Sequence, residues 1–143
     1  MTHPRQTIRE NIAERLRERF NNVFITRAKA LFEQDLPAVL VYTNNETIKQ
    51  ERWDTDGFGC LFRELELCIE AVDTGKDDLE NKLDNMAETI EDLLNGWEIP
   101  SKKSAVMRFK NTDFDMNIDG NKIYGAIKLT YTLTYQTETQ NEH

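Results

Sequence analysis

Residues 122–135 read KIYGAIKLTYTLTY, and this stretch decides the fold because its apolar and polar side chains alternate with a period of two. Such alternation is typical of a strand that is buried on one face and more exposed on the other. β-branched and aromatic residues, which favour strands, fill most positions. The buried side is predicted to consist of Ile123, Ile127, Leu129, Tyr131, Leu133 and Tyr135, and the opposite side of Tyr124, Lys128, Thr130, Thr132 and Thr134.

A second extended run, AVMRFKNTDFDM at residues 105–116, precedes this strand. Asp119 and Gly120 lie between the two runs. An Asp-Gly pair between alternating runs is a strong hairpin signal, because both central turn residues must tolerate a positive φ. The sequence therefore predicts a final β-hairpin with Asp119-Gly120 at its turn.

The predicted turn lies within DMNIDG, residues 115–120, which resembles half of a calcium-binding loop. Such a loop needs oxygen ligands at positions one, three and five, glycine at six and a bidentate glutamate at twelve. Counted from Asp115, the twelfth position is Ala126. A second acidic turn, WDTDGFG at residues 53–59, fails likewise, because the twelfth position counted from Asp54 is Leu65. Turn formation is the favoured interpretation of both stretches, with weak adventitious divalent binding as the alternative.

Three further strands are predicted upstream. Residues 38–42 of PAVLVYTN are almost continuously apolar, as expected of a central strand covered on both faces. Residues 61–72 alternate, and their outward face carries Glu64, Glu66, Cys68 and Glu70. Residues 23–25 form a short apolar stretch, which we interpret as an edge strand.

Two segments have the spacing of amphipathic helices. The first runs from Pro4 to about Phe20, with proline in its first turn, where a missing N–H costs little. The second covers residues 77–95 and stops at Gly96. Its outer face is acidic apart from Lys82, which favours a solvated helix face, with an electrostatic partner surface as the alternative.

The order of these elements predicts an α+β fold. Each amphipathic helix must bury one apolar stripe, and a twisted sheet offers the surface on which to bury it. We expect a two-layer sandwich in which two helices pack on a mixed, largely antiparallel β-sheet. Residues 1–135 are predicted to form a single domain, and residues 136–143 a polar, disordered tail.

The composition narrows the class of protein. Among 143 residues, 26 acidic and 18 basic side chains give a net charge of −8, which disfavours nucleic-acid binding as the main activity. No apolar run is long enough to cross a bilayer or serve as a secretory signal, so we expect a soluble, intracellular protein. Cys60 and Cys68 would lie roughly 26 Å apart on one extended strand, which predicts two reduced thiols.

A catalytic site is not predicted. The only histidines, His3 and His143, lie near the ends of the sequence, and Ser101 and Ser104 lack the setting of a nucleophile. The glycines form no phosphate-binding loop. Carboxylates are abundant, but nothing in the sequence selects a pair with a shifted pKa. We therefore expect neither catalysis nor a cofactor nor a bound metal.

Several stretches taken in order resemble one known family. They are DLPAVLVYTNNETI at residues 35–48, an acidic-aromatic loop, FRELELCIEAVD at 62–73, DDLENKLDNMAETIEDLL at 77–94 and IKLTYTLTY at 127–135. Together they resemble the minor tail protein U, or tail terminator, family of long-tailed bacteriophages and prophages. The resemblance extends from the first helix to about Tyr135 and rests on the order and spacing of these stretches.

This resemblance implies a homohexameric ring on the end of the completed tail tube. The ring would stop the addition of the major tail tube protein and present a surface to the head–tail connector protein. DNA would only pass through the lumen, and no membrane would be involved. The expected location is the tail of the virion, and the host cytoplasm during assembly.

We expect the contacts between subunits, or between ring and tube, to involve a loop with large aromatic side chains and scarce basic residues near strand ends. The candidate residues are Arg27, Lys29, Arg52, Trp53, Asp54, Asp56, Phe58 and Arg63. Two alternative functions remain open at this point. One is another neck or tail-assembly factor, including a chaperone, and the other is a small carboxylate-dependent enzyme, with or without a divalent metal.

Overall fold

The structure is a computed structural model that describes residues 3–27, 31–55, 57–119 and 122–140. Within these ranges two α-helices and five strands form two layers. In chain order the elements are α1 (Pro4–Leu16), β1 (Val23–Phe24), a short 3₁₀ helix (Glu33–Asp35), β2 (Ala38–Trp53), β3 (Phe58–Gly75), α2 (Leu79–Leu94), β4 (Val106–Asp119) and β5 (Lys122–Gln140).

All five strands belong to one mixed sheet with the order β1-β2-β3-β5-β4. β1 runs parallel to β2, and every other neighbouring pair is antiparallel. The predicted α+β fold with a largely antiparallel sheet is therefore confirmed. β5, on which the fold prediction rested, lies between β3 and β4, so it is hydrogen-bonded on both sides.

The hydrophobic core lies between the two helices and one face of the sheet. The alternation predicted for β5 is confirmed there, although Ile123 at its start is only partly buried. α1 buries an apolar stripe at a spacing of four residues, and α2 does the same from its first turn to its last. Fully buried side chains include Ile8, Ile12, Leu16, Leu65, Leu67, Ile69, Leu79, Leu83, Ile90, Ile127 and Leu129.

The opposite face of the sheet is more covered than predicted. Cys68 points to this face, as its place in the alternation requires, but it is buried together with Leu40 and Thr130. Burial raises the pKa of the Cys68 thiol. The predicted acidic side chains are half-buried, and Glu70 accepts a hydrogen bond of 3.1 Å from the Tyr42 hydroxyl. The acidic face is therefore partly paired within the subunit.

Three strands continue well beyond the helices. β2 extends to Trp53, whereas only residues 38–42 were predicted from their apolar character. β5 extends to Gln140 because its last residues pair with the start of β3, from Phe58 opposite Gln140 to Phe62 opposite Gln136. The strand thus runs five residues past the predicted domain boundary at Tyr135. We call this three-stranded extension, formed by residues 48–53, 58–63 and 135–140, the arm.

The helix boundaries differ slightly from the prediction. α1 ends at Leu16, not near Phe20, and residues 17–20 form a turn in which the Phe20 N–H donates to the Leu16 carbonyl at 2.9 Å. Phe20 still packs against the core, which explains why its spacing continued the helical pattern. α2 begins at Leu79, two residues later than predicted.

The final hairpin is present, with its connection displaced by one residue. β4 ends at Asp119, which pairs with Lys122 at the start of β5. Asp119 is therefore the last paired residue of β4 and not the first residue of the turn. Gly120 and Asn121, which connect the strands, lie outside the described residues.

Candidate assembly surfaces

The arm ends in a tight turn between β2 and β3, which we call the arm tip and which comprises residues 52–58. The Asp54 N–H donates to the Phe58 carbonyl at 2.6 Å, and the Gly57 N–H donates to the Asp54 carbonyl at 3.2 Å. Gly57 has a φ of 89°, which a glycine adopts without the strain of a Cβ. The turn brings together four predicted contact residues, Arg52, Trp53, Asp54 and Phe58, whereas Asp56 lies outside the described residues.

Trp53 is held in place by the backbone beneath it. A Cβ built on Gly59 would lie 2.5 Å from the Trp53 ring and 2.7 Å from the Arg52 carbonyl oxygen. Only a glycine therefore allows the indole to lie this close to β3. The side chain of Trp53 is nevertheless 46% exposed, so one side of the ring rests on the arm and another faces solvent.

Arg63 lies at the base of the arm in a cluster centred on Glu46. Its guanidinium binds the Glu46 carboxylate at 2.7 Å, Arg5 of α1 binds the same carboxylate at 2.6 Å, and the Tyr135 hydroxyl donates to it at 2.5 Å. Burial alone would raise the pKa of Glu46, but the hydrogen bonds from Tyr135 and Arg63 and the charge of Arg5 hold that pKa below its ordinary value. Arg63 is thus paired inside its own subunit, and its predicted contact with a neighbour stays a prediction.

Arg27 lies elsewhere, near the middle of β2. Its guanidinium stacks over the Tyr42 ring at 4.9 Å and donates to the Asn44 side-chain oxygen at 2.7 Å. At about 3.3 Å per residue, roughly 30 Å of strand separates this position from Trp53. Arg27 and the arm tip therefore belong to different surfaces, and Lys29 lies outside the described residues.

A hollow that carries charges of both signs adjoins the base of the arm. Its lining includes His3, Arg63, Lys102 and Glu138. Burial, followed by the charges of Arg5 and Arg63, lowers the pKa of His3, so this imidazole is neutral at neutral pH. The positive charge of the lining therefore comes from Arg63 and Lys102, is opposed by Glu138, and is reduced by the pairing of Arg63 with Glu46.

A groove of about 340 Å³ separates the C-terminal end of α2 from β4. We call it the α2–β4 groove, and its lining consists of Glu91, Asp92, Leu94, Asn95, Gly96, Met107, Phe109 and Tyr131. Phe109 and Tyr131 form its floor, with ring centroids 5.0 Å apart. The groove thus combines an aromatic floor with two carboxylates, and no basic side chain is part of that lining.

The Tyr131 hydroxyl has no hydrogen-bond partner among the described residues. The side chain is only 5% exposed, and burial, reinforced by the charge of Glu91, raises the pKa of Tyr131, so the hydroxyl keeps its proton. A buried polar group without a partner costs about 1–3 kcal/mol. The hydroxyl is therefore a place where an external hydrogen-bonding group would be stabilising.

Beyond the groove, β4 exposes a row of apolar side chains along the edge of the sheet. Phe114, Met116 and Ile118 point to the helix side of β4 and are 61%, 41% and 72% exposed. α2 covers β5 here but leaves the edge strand open. Exposed apolar rows of this kind mark sites of association.

The comparisons with known proteins identify the family of this chain. A family model described as phage minor tail protein U matches residues 3–135. The chain belongs to the phage minor tail protein U family. The resemblance drawn from the order of the sequence stretches is thereby confirmed, and the matched range ends where the family-like stretch IKLTYTLTY ends.

One solved structure adds a likeness of fold to this family membership. A chain of the structure titled "Virion of native gene transfer agent (GTA) particle" superposes with a TM-score of 0.57. The sequence identity is 13%, over 88% of this chain and 92% of that chain. No individual curated protein matches this member of the tail protein U family closely enough to add a relative.

The described part of this tail protein U family member holds no cluster of three or more histidine, cysteine, aspartate or glutamate side chains placed to bind a metal ion. Asp115 and Asn117 alternate with Met116 along β4, so this half of DMNIDG is extended strand and does not wrap around a cation. No helix within the described ranges is long and apolar enough to cross a membrane.

The sequence singled out residues of the arm tip as candidate contacts, but it did not single out the α2–β4 groove. Glu91 and Tyr131 are forty residues apart in the chain and meet only through the packing of α2 on the sheet. The acidic face of α2, which was noted as an alternative partner surface, was the one feature of the sequence that indicated a site here. Nothing in the sequence indicated that the buried hydroxyl of Tyr131 would lack a partner.

Proposed function

We propose that this protein is a tail terminator, which caps the end of the phage tail tube as a homohexameric ring. Membership of the phage minor tail protein U family over residues 3–135 is the observation that carries the proposal. The fold likeness to a chain from a virion particle is consistent with a place in the tail of the virion. In this role the protein is a structural component and not an enzyme.

The ring has three physical tasks. One face binds the growing end of the tube and so blocks the next subunit of the major tail tube protein. The other face binds the head–tail connector protein and must not present the tube surface again. The lumen lets DNA pass, and a subunit with a net charge of −8 does not retain a polyanion.

The same charge opposes association, since six acidic subunits repel one another. Ring closure therefore needs contacts that outweigh this repulsion. The arm tip offers a tryptophan, and Arg27 on the opposite surface of β2 offers a cation close to the sheet. We assign these residues, with Lys29 and Asp56, to contacts between subunits or with the tube, after assembly in the host cytoplasm.

Electron microscopy of lysates made without this protein tests the proposal. We expect overlong tails that carry no heads, because tube growth would have no stop and the head no surface to join. Supplying the wild-type protein in trans should restore normal tails. Tails of normal length joined to heads in its absence would contradict the proposal.

A charge reversal tests the contribution of the arm. Arg52→Glu should reduce the fraction of tails with normal length, whereas Lys103→Glu, an exposed change of equal charge outside the arm, should not. Both variants should be soluble and folded, since neither side chain is buried. Full activity of Arg52→Glu would remove this residue from the proposed interface.

A further inference from the structure

The exposed large apolar side chains of the described residues lie mainly on two surfaces. The first is the arm, where Ile48, Trp53 and Phe58 are 42%, 46% and 51% exposed. The second is β4, which carries the α2–β4 groove and the apolar row beyond it. Phe32, in the segment before β2, is the exception.

These two surfaces cannot meet within one molecule. Trp53 pairs with Gly59, and Gly59 pairs with Thr139 of β5, whereas the groove lies at Tyr131. Eight residues of extended strand between these two positions of β5 correspond to roughly 26 Å. This distance exceeds the reach of one side chain, so any contact between arm tip and groove joins two copies.

The chemistry of the two surfaces is complementary. The indole N–H of Trp53 is a hydrogen-bond donor without an acceptor function, and it must be paired when the ring is buried. The Tyr131 hydroxyl lacks a partner among the described residues and can accept such a bond, but it is closed off in the free subunit, so the groove must widen as the indole enters. Tryptophan is also the residue most often found as an anchor that fills a pocket at an interface.

One charge near the arm tip also favours the contact. Glu91 and Asp92 line the groove, while Arg52 stands next to Trp53. Glu51, Asp54 and Glu138 also lie near the tip, so the attraction is assigned to Arg52 and not to the net charge of the arm. Such pairs mainly orient the partners and speed their encounter.

We propose that Trp53 at the arm tip of one copy inserts into the α2–β4 groove of the next copy, where its indole N–H donates to the Tyr131 hydroxyl. The inference rests on the proposed ring and names the contact that joins its subunits. Because two different surfaces meet, the contact is head-to-tail, and such contacts form a closed ring when the rotation between copies closes.

Cross-linking tests the location of the contact. The full-length protein carries a photo-reactive benzoylphenylalanine in place of Trp53 and is irradiated both as a concentrated pure protein and in a lysate that contains tails. We expect links between copies that map to Met107, Phe109 or the end of α2. The same group in place of Ile118, at the other end of the sheet, should not mark the groove. Absence of groove links from position 53 in both preparations would overturn the inference.

A mixing experiment tests the head-to-tail geometry with a readout of mass. Trp53→Ala disables the arm and Phe109→Glu disables the groove, and each variant alone should be monomeric. Mixed, they retain one working contact between an intact arm and an intact groove, so a dimer and nothing larger should form. A mixture in which no dimer forms, or either variant alone forming the wild-type oligomer, would contradict the inference.

Tyr131→Phe tests the hydrogen bond itself. Removing the unpartnered hydroxyl should leave the free energy of unfolding of the monomer unchanged or raise it, whereas association should weaken about fivefold. Asp92→Lys should weaken association less than Tyr131→Phe does, and Glu10→Lys, an equal charge change at an exposed position of α1, is its control. If Tyr131→Phe leaves association unaffected, the proposed hydrogen bond between Trp53 and Tyr131 is ruled out.

The two proposals fail in different ways. Overlong tails without the protein, combined with no groove links from position 53, would keep the terminator function and reject the arm contact. Groove links from position 53, combined with normal tails when the protein is absent, would keep the contact and reject the function. Microscopy and cross-linking therefore give independent answers.

Discussion

The two long hairpins of this protein extend from opposite ends of one sheet and differ in how they expose apolar side chains. Both are three strands wide, because β5 pairs with β3 up to Phe58 in the arm and up to Gly75, opposite Ile123, at the other end. In both, the outer strand has a single partner: β2 beyond Leu40 pairs only with β3, and β4 only with β5. The first hairpin concentrates its aromatic side chain at a supported tip, and the second spreads apolar side chains along an open edge.

This difference separates two ways of presenting apolar surface to a partner. A tryptophan resting on Gly59 is fixed before it meets anything, so little conformational entropy is lost on binding. The row on β4 instead offers a line of apolar contact along the edge of the sheet. A single exposed tryptophan suits a small cavity such as the α2–β4 groove, whereas a row of apolar side chains suits a broad surface such as the end of a tube.

The largest expected effect comes from loosening the packing of α2 under the turn end of the β4–β5 hairpin. Leu83 of α2 is fully buried, and a Cβ on Gly125 of β5 would lie 2.9 Å from its Cδ1 atom. Leu83→Ala should lower the free energy of unfolding by about 3 kcal/mol, because a cavity replaces this contact. Urea denaturation measures the loss, and a loss below about 1 kcal/mol would show that the site collapses. Asn85→Ala, exposed on the same helix, should stay within about 0.5 kcal/mol of the wild type.

A smaller effect is expected where α1 meets the base of the arm. Glu46→Gln removes the charge that holds Arg5 and Arg63, and it should cost about 1–2 kcal/mol at pH 7, since these partners are partly exposed. The folded-state pKa of Glu46 is depressed, so its contribution is complete above the unfolded pKa of about 4.3 and is lost as the pH falls through the folded pKa. The stability difference between variant and wild type should therefore shrink below about pH 4.

Urea denaturation at pH 7 and at pH 3.5 measures this dependence on Glu46. Glu51→Gln, an exposed change on the same strand, should show neither the loss of stability nor its pH dependence. A difference between Glu46→Gln and the wild type that stays constant with pH would show that the cluster does not depend on the carboxylate charge.

The smallest effects are expected when one glycine in each hairpin is replaced by alanine. A Cβ on Gly125 would lie 2.8 to 3.0 Å from Met116, Leu83 and Leu79 side-chain atoms, all at flexible ends, so Gly125→Ala should cost about 1 kcal/mol of global stability. Gly59→Ala should cost less globally, because the end of the arm can open locally, but it should displace the Trp53 ring. Trp53 fluorescence in a Trp97→Phe background measures this displacement, and an unchanged spectrum would contradict the packing described for the arm tip.

The sequence predicted the elements whose burial follows a simple period. The alternation in β5 and the apolar stripe of α2 report directly which side faces the core, and both were located to within a few residues. The second half of β2, from Asn44 to Trp53, was not predicted as strand because its side chains are mostly polar and exposed. It is a strand because β3 pairs with it, which is information held elsewhere in the chain.

The candidate contact residues show the same difference between what neighbours in the sequence determine and what distant residues determine. Arg52, Trp53, Asp54 and Phe58 are neighbours because a hairpin turn is local, and the sequence placed them together. The contact predicted for Arg63 with another subunit or the tube stays a prediction, and its partners within the subunit, Glu46 and Tyr135, were not predicted because they are distant in sequence. Partners of this kind follow from sheet register and helix packing, which no local pattern encodes.

The position of β5 in the middle of the sheet also governs how the protein is made. β5 is the last strand in chain order, yet β3 and β4 each need it as a neighbour. Until it has been synthesised, β3 keeps an open edge and β4 has no partner, so the growing chain cannot complete its sheet. Pairings between distant segments also form slowly, because the loops between them must close first. The finished surfaces therefore arise only after the whole chain is available, and an incomplete chain lacks the aromatic floor of the groove that Tyr131 provides.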